Sequence, residues 1–216
     1  LSYYSPSGSI VTQIINAGTY KIRATGKGNY SSTKEVNFVV NKIALREEFF
    51  TINPSSYEYR NAQIIPSFTA SYDYETGKNY TFKTSDYIAT FGDNIDVSTG
   101  GSVTFTGSGS NFEGTVIKNF IITAKSISAG DISKSNIPTQ TYTGSEISPN
   151  FTLTDTTLGR NLILNTDYTI TITNNVNVGN ATIKIVGKGN YAGETAIQFE
   201  ITPKNINLVN IAEIPD

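Results

Sequence analysis

Apolar and polar residues alternate with a period of two along several short stretches of the chain. Tyr20-Lys21-Ile22-Arg23-Ala24 and Ala181-Thr182-Ile183-Lys184-Ile185 show it, and it marks a strand with one buried and one wet face. Val36, Phe38 and Val40 carry the same spacing, as do Ile197, Phe199 and Ile201. Between the members of each pair lies Gly-Lys-Gly-Asn-Tyr, at Gly26, Lys27, Gly28, Asn29 and Tyr30 and again at Gly187, Lys188, Gly189, Asn190 and Tyr191. Glycine and asparagine supply the positive φ that a tight reversal needs, so the spacing predicts two strands joined by a short turn. Thr, Val, Ile, Tyr and Phe dominate throughout, and no long stretch has a 3.6-residue period. Short strands with turn signals roughly every ten residues predict an all-β sandwich or barrel.

The turn motif is part of a longer internal repeat. Gly107-Ser108-Gly109-Ser110-Asn111-Phe112 is a looser copy with one inserted residue. A Phe follows each turn aromatic at Phe38, Phe120 and Phe199, and a Val or Ile follows that at Val40, Ile122 and Ile201. Tyr30 to Phe112 is 82 residues and Phe112 to Tyr191 is 79. Tyr59, Ile64, Pro66 and Phe68 match Tyr142, Ile147, Pro149 and Phe151 at an offset of 83. The period predicts a partial module over 1–42, complete modules over 43–124 and 125–203, and a linker with the first strand of a further module over 204–216. Solenoid repeats run only about 20–47 residues, so a unit of this size is expected to close its own small core, with short linkers near Lys42 and Lys125.

Composition narrows the chemistry. The 216 residues contain no Cys, His, Met or Trp. Disulfides, thiol nucleophiles, imidazole bases and the commonest transition-metal ligands are thereby removed. The formal net charge is −2 with no block of like charge, which argues against a nucleic-acid partner. No apolar run approaches the length of a membrane span, so no membrane contact is expected within this segment. No cofactor and no catalytic residue is expected.

Tyr142-Thr143-Gly144-Ser145-Glu146-Ile147-Ser148-Pro149, then Asp167-Tyr168-Thr169-Ile170, then Asn174 to Gly179, then Gly187 to Gly193 together resemble the tandem extracellular repeats of bacterial surface proteins and adhesins. These are grouped as bacterial Ig-like and MBG/YDG-type domains. The likeness is strongest over 125–203, degraded over 43–124, and confined to the second half of a module over 1–41. It implies immunoglobulin-like β-sandwich modules, with a β-grasp-like variant open, together with export to the cell surface. It also implies a stalk, spacer or filament role, with neighbouring modules as partners and no catalytic residues to carry over.

Several residues invite sharper readings. Tyr57, Tyr59, Tyr72, Tyr74 and Tyr80 concentrate in the middle module. Residues two apart share a strand face, so Tyr72 and Tyr74, with Tyr80, are candidates for a flat platform that stacks on a host or microbial surface glycan or protein. The bland alternative is core packing. Asp93-Asn94-Ile95-Asp96 offers oxygen ligands that would suit Ca²⁺, with Asp93 and Asp96 as the candidates, against the alternative of a solvated turn. Lys118 stands where the other modules have Val36 and Ile197. It would either form a Lys–Asn cross-link or stay wet beside a β-bulge that turns Ile117 inward. The Gly-Lys-Gly-Asn-Tyr turn lacks the helix a phosphate loop requires. The expected function is a structural or adhesive array, with a binding module or an accessory domain of an exported enzyme as alternatives.

Overall fold

The computed structural model describes residues 1–208, and the chain there is all-β. The strands run β1 (Ser2–Tyr4), β2 (Ile10–Val11), β3 (Gly18–Thr25), β4 (Thr33–Val40), β5 (Ile43–Ala44), β6 (Phe50–Ile52), β7 (Ser56–Glu58) and β8 (Phe68–Glu75). There follow β9 (Lys78–Thr81), β10 (Tyr87–Phe91), β11 (Gly101–Gly107), β12 (Phe112–Glu113), β13 (Thr115–Thr123), β14 (Lys125–Ser126) and β15 (Ile132–Lys134). The last are β16 (Gln140–Thr141), β17 (Leu153–Asp155), β18 (Arg160–Asn161), β19 (Tyr168–Thr173), β20 (Gly179–Gly187), β21 (Tyr191–Ala192) and β22 (Glu194–Thr202). Glu47–Phe49 and Ile206–Leu208 are single 3-10 turns. No helix among the described residues is long and apolar enough to cross a membrane.

The described chain divides into two compact units, residues 1–55, 65–94 and 101–120 in one and residues 56–64, 95–100 and 121 onward in the other. In the first unit β3 pairs antiparallel with β4 and with β1, and β11 pairs antiparallel with β10 and with the first part of β13. A second sheet, β6-β8-β9, is antiparallel. The core between the sheets is aromatic. Phe50 of β6 stacks on Phe105 of β11 with ring centroids 3.9 Å apart, and Phe82, Tyr87 and Phe68 close around them. Val103 and Phe105 are fully buried because period-two alternation turns every second residue of β11 inward.

In the second unit β19, β20 and β22 form an antiparallel sheet, and β15-β17-β18 forms another. Ala181, Ile183 and Ile185 of β20, Ile201 and Phe199 of β22, and Leu153 of β17 are buried. Here the core is mainly aliphatic, with Phe199, Tyr168 and Tyr191 among the Ile and Leu side chains. β22 also pairs in parallel with β16, Gln140 opposite Ile201, and the end of β13 pairs in parallel with β7, Ile121 opposite Ser56. The Tyr142 N–H extends the first ladder to the Thr202 carbonyl at 2.9 Å, and the Tyr59 N–H extends the second to the Thr123 carbonyl at 2.9 Å. A strand near the start of each complete repeat thus lies parallel to the strand that ends it.

Two expectations need correction. Lys125 is a buried residue of a short parallel pair with Tyr191, not a linker residue. Ile206–Leu208 forms a 3-10 turn where a strand was expected, and 209–216 lies outside the described residues.

Candidate functional site

Tyr72 and Tyr80 face each other across the β8–β9 pair, with ring centroids 5.5 Å apart. Their inner edges pack on Phe49, Phe82 and Phe112. Tyr74 lies further along β8 and is 58% exposed. Its ring stands at 64° to Tyr72. The expected flat platform is therefore absent. A register shift between Asp73 and Glu75 turns the strand there, and the half-buried Tyr72 ring packs against Phe49 and Phe82. What forms instead is a groove of about 710 Å³ within the first unit, whose walls include the three tyrosines, Ile14, Ile15 and Val40.

One hydroxyl of this groove is engaged as a donor. Tyr80 Oη donates to Asp86 Oδ2 at 2.8 Å, and that carboxylate also accepts from the Lys83 N–H. Burial first, and then the Asp86 carboxylate, push the Tyr80 phenol up to about 12. Burial, with Tyr74 and Asp86, raises Tyr72 as well. Protonated phenols on an apolar floor can stack on and hydrogen-bond a ligand. Tyr59 is buried, donates to Asn61 Oδ1 and accepts from Arg160, so it is structural. Tyr57 sits half-buried in β7.

The Gly-rich turns share a left-handed glycine. Gly28, Gly109 and Gly189 have φ of 64°, 69° and 65°. The Gly26 N–H bonds the Ser32 carbonyl, Gly107 bonds Gly114 and Gly187 bonds Gly193. A Cβ on Gly26, Gly107 or Gly187 would lie within 2.7 Å of backbone atoms across the turn, so the glycine is required by close approach. Tyr191 and Phe112 are buried after the turn, whereas Tyr30 is 80% exposed.

The asparagine before the aromatic does something the letters do not announce. In the first unit Asn111 Oδ1 accepts from the Ala17 N–H at 2.8 Å while Nδ2 donates to Asn16 Oδ1 at 3.1 Å. In the second unit Asn190 Oδ1 accepts from the Val97 N–H at 2.9 Å while Nδ2 donates to Asp96 Oδ1 at 2.8 Å. Each carboxamide thereby grips a loop about one repeat earlier in sequence. The signal was available only as two spacings that differ by one residue: Ala17 to Asn111 is 94 residues and Val97 to Asn190 is 93.

A buried charged cluster is the other feature that sequence reasoning missed. Lys125 is 4% exposed and Asp155 0%. Lys125 Nζ lies 2.8 Å from Asp155 Oδ2 and 2.5 Å from Asp131 Oδ2. Tyr191 Oη and the Leu158 N–H also donate to Asp155. Burial pulls the Lys125 ammonium down, but the hydrogen bonds it donates to Asp131 and Asp155 outweigh it and leave the group raised. Hydrogen bonds from Lys125 and Thr157 hold the Asp131 carboxyl below its ordinary value. Lys125 pairs with Tyr191 as Ile43 pairs with Phe112, and Asp155 lies 83 residues after Tyr72. The same place in two repeats is thus filled by apolar and aromatic groups in one and by charges in the other.

The remaining candidates are ordinary. Asp93 is exposed, and Asp96 is engaged by Asn190. Asn94 is buried and bonds both the N–H and the carbonyl of Ser102. No group of three or more potential metal ligands comes together among the described residues. Lys118 is half-buried opposite Val103 in an unbroken register, and Ile117 is 52% exposed. The expected bulge is absent: β13 keeps strict alternation, and Lys118 shares the face of Val116 and Phe120. Comparison with known proteins finds no family model that matches this chain and no similar curated protein.

Proposed function

We propose that this chain is a load-bearing, tandem-repeat segment of a bacterial cell-surface protein, acting as a stalk or spacer rather than as an enzyme. The likeness of its repeats to bacterial Ig-like and MBG/YDG-type modules motivates the surface location. The supporting observation is the parallel pairing of early and final strands, β7 with β13 and β16 with β22. Tension on the two ends of such a repeat draws parallel neighbours past each other. The hydrogen bonds between them lie across the strands, so they are strained together rather than opened one at a time.

Single-molecule pulling tests this reading, since the chain has no cysteine and attachment thiols can be placed at will. Handles at Ala124→Cys and Lys204→Cys load β16 against β22 along the strands. Handles at Asn165→Cys and Lys188→Cys open the β19–β20 pair from one end. The first geometry should resist several-fold more force. Equal, low forces in both would end the load-bearing reading.

A second reading is favoured by the groove at Tyr72, Tyr74 and Tyr80. It would seat a glycan or an apolar peptide segment against the phenol rings. A glycan and peptide array probed with the chain and with Tyr74→Ala checks it. Retained binding by the variant, or no binding by either, removes the groove as a recognition site.

A further inference from the structure

One sheet edge is covered in the first repeat and open in the other two. β1, β10 and β19 hold the same place, each antiparallel to the strand that precedes a Gly-rich turn. The connection after β1, residues 5–17, folds back as β2, which pairs antiparallel with the outer edge of β1, Tyr4 opposite Ile10. The shorter connections after β10 and β19, residues 92–100 and 174–178, hold no strand, and β10 and β19 end their sheets. The β10 edge is open with a further repeat in place after it, so an open edge is intrinsic to the repeat.

The ladder shows which groups the β19 edge presents. The Asp167 carbonyl accepts from the Lys188 N–H at 2.9 Å. Alternate residues face the same way, so Thr169, Thr171 and Thr173 bond β20 while Ile170 and Ile172 turn their N–H and C=O outward. Those outward groups have no hydrogen-bond partner among the described residues. The Tyr168 carbonyl also points outward, but it accepts the Asn165 N–H at 2.7 Å. Asn174, at φ 56°, follows the last residue of the strand. From Tyr168 to Thr173 there is no charge, proline, glycine or register shift, the devices that blunt an exposed edge.

We propose that β19 pairs antiparallel with β19 of a second copy of this chain, about a twofold axis through Thr171. This register sets Ile170 of each copy opposite Ile172 of the other, so every outward N–H and C=O finds a partner. An axis at Ile170 would set Ile172 against the occupied Tyr168 carbonyl. An axis at Ile172 would set Ile170 against Asn174, past the end of the strand. The strand is thus complementary to itself, which identifies the occupant. Thr169 meets Thr173 and Thr171 meets Thr171, favourable cross-strand pairs with no charge to repel the copy. Asp167, just before the strand, is already paired with Arg160. β10 lacks this neutrality, because Asp86 and Asp93 flank it. The contact uses the same patch on both copies and so closes as a dimer, and its small area gives weak affinity. The proposal goes beyond the load-bearing reading and does not depend on it.

Sedimentation equilibrium and cysteine cross-linking test it. The mass of the parent chain should rise towards twice the monomer value between micromolar and millimolar concentration. Thr171→Lys sets like charges face to face on the axis and should hold the chain at the monomer mass. Its circular dichroism should match the parent's, because Thr171 is exposed. In this cysteine-free chain, Thr171→Cys with oxidised glutathione should give a disulfide-linked dimer, since the axis brings the two Thr171 Cα atoms to about 4.5 Å. Thr173→Cys should not, because its two copies lie about 14 Å apart along the strands, beyond the reach of a disulfide. A parent chain that stays monomeric at millimolar concentration overturns the proposal. A dimer that persists in Thr171→Lys, or equal cross-linking by the two cysteine variants, places self-association on another surface or in another register and overturns it too.

Discussion

Lys125 shows how much one side chain can depend on its neighbours. Its ammonium is buried, and the cost of burial is offset by Asp155, Asp131 and the hydroxyl of Tyr191 that completes the Asp155 shell. Asp155→Ala leaves that ammonium with Asp131 alone and strands the Tyr191 hydroxyl, and should cost about 3 kcal/mol, measured by denaturant unfolding. Lys125→Ile with Asp155→Tyr and Tyr191→Phe, which copies the residues of the preceding repeat, should recover most of the loss. The cluster also sets a pH window. Asp131, held low, adds stability above the ordinary carboxylate range and loses it as pH falls through its depressed value. Lys125, held high, adds stability below the ordinary lysine range and loses it as pH rises through its elevated value. Tyr80 gives a third handle. Asp86→Asn removes a hydrogen-bonding carboxylate and should bring its ionisation down from about 12, read by ultraviolet titration. The repeat offset of 83 residues puts Asp155 in the place of Tyr72. It could not reveal the partner, because Lys125 lies 30 residues away and meets Asp155 only through folding.

Hairpins are the elements that the amino-acid pattern announced most clearly. β3–β4, β11–β13 and β20–β22 all straddle a Gly-rich turn; alternation named the buried faces of β20 and β22, whereas on β4 Val36 is 56% exposed. Turn chemistry is local, so it survives in the letters. The failures were of a different kind. Lys118 invited a bulge because a lysine on an inward face is costly, yet the strand kept its register and left the lysine half-exposed. The grip of each turn asparagine joins residues more than ninety positions apart, and no local pattern encodes that. Gly187→Ala tests the turn directly. A Cβ there would meet backbone of Ala192 at 2.7 Å, and the variant should lose about 1–3 kcal/mol of stability. Gly130→Ala, where a Cβ meets nothing, should be close to neutral in the same unfolding measurement.

Over the whole molecule, the two units rest on different interior chemistry. The first packs Phe49, Phe50, Phe82, Phe105 and Phe112 together. The second encloses an ionic cluster among aliphatic side chains. A chain of this kind need not unfold in one step. Acid should separate the units: hydrogen-exchange protection of β20 and β22 should fall before that of β10 and β11. Simultaneous loss at every pH would show that Asp131 does not govern the second unit's stability. The all-β class and the repeat period were legible in the sequence. The contrast between the two interiors was not, because it depends on which unlike residues occupy equivalent places.

That contrast bears on how such a chain avoids confusing its own repeats. Neighbouring domains with similar strands are prone to exchange them during folding, since a swapped strand satisfies the same backbone ladder. If β14 took the position of β5 beside Phe112, Lys125 would bring its ammonium into an aromatic interior with no carboxylate to receive it. If β5 took the position of β14, Ile43 would leave Asp155 buried without its cation. Either exchange strands a charge, so the ionic cluster gives each repeat an address that its neighbour's strands cannot counterfeit.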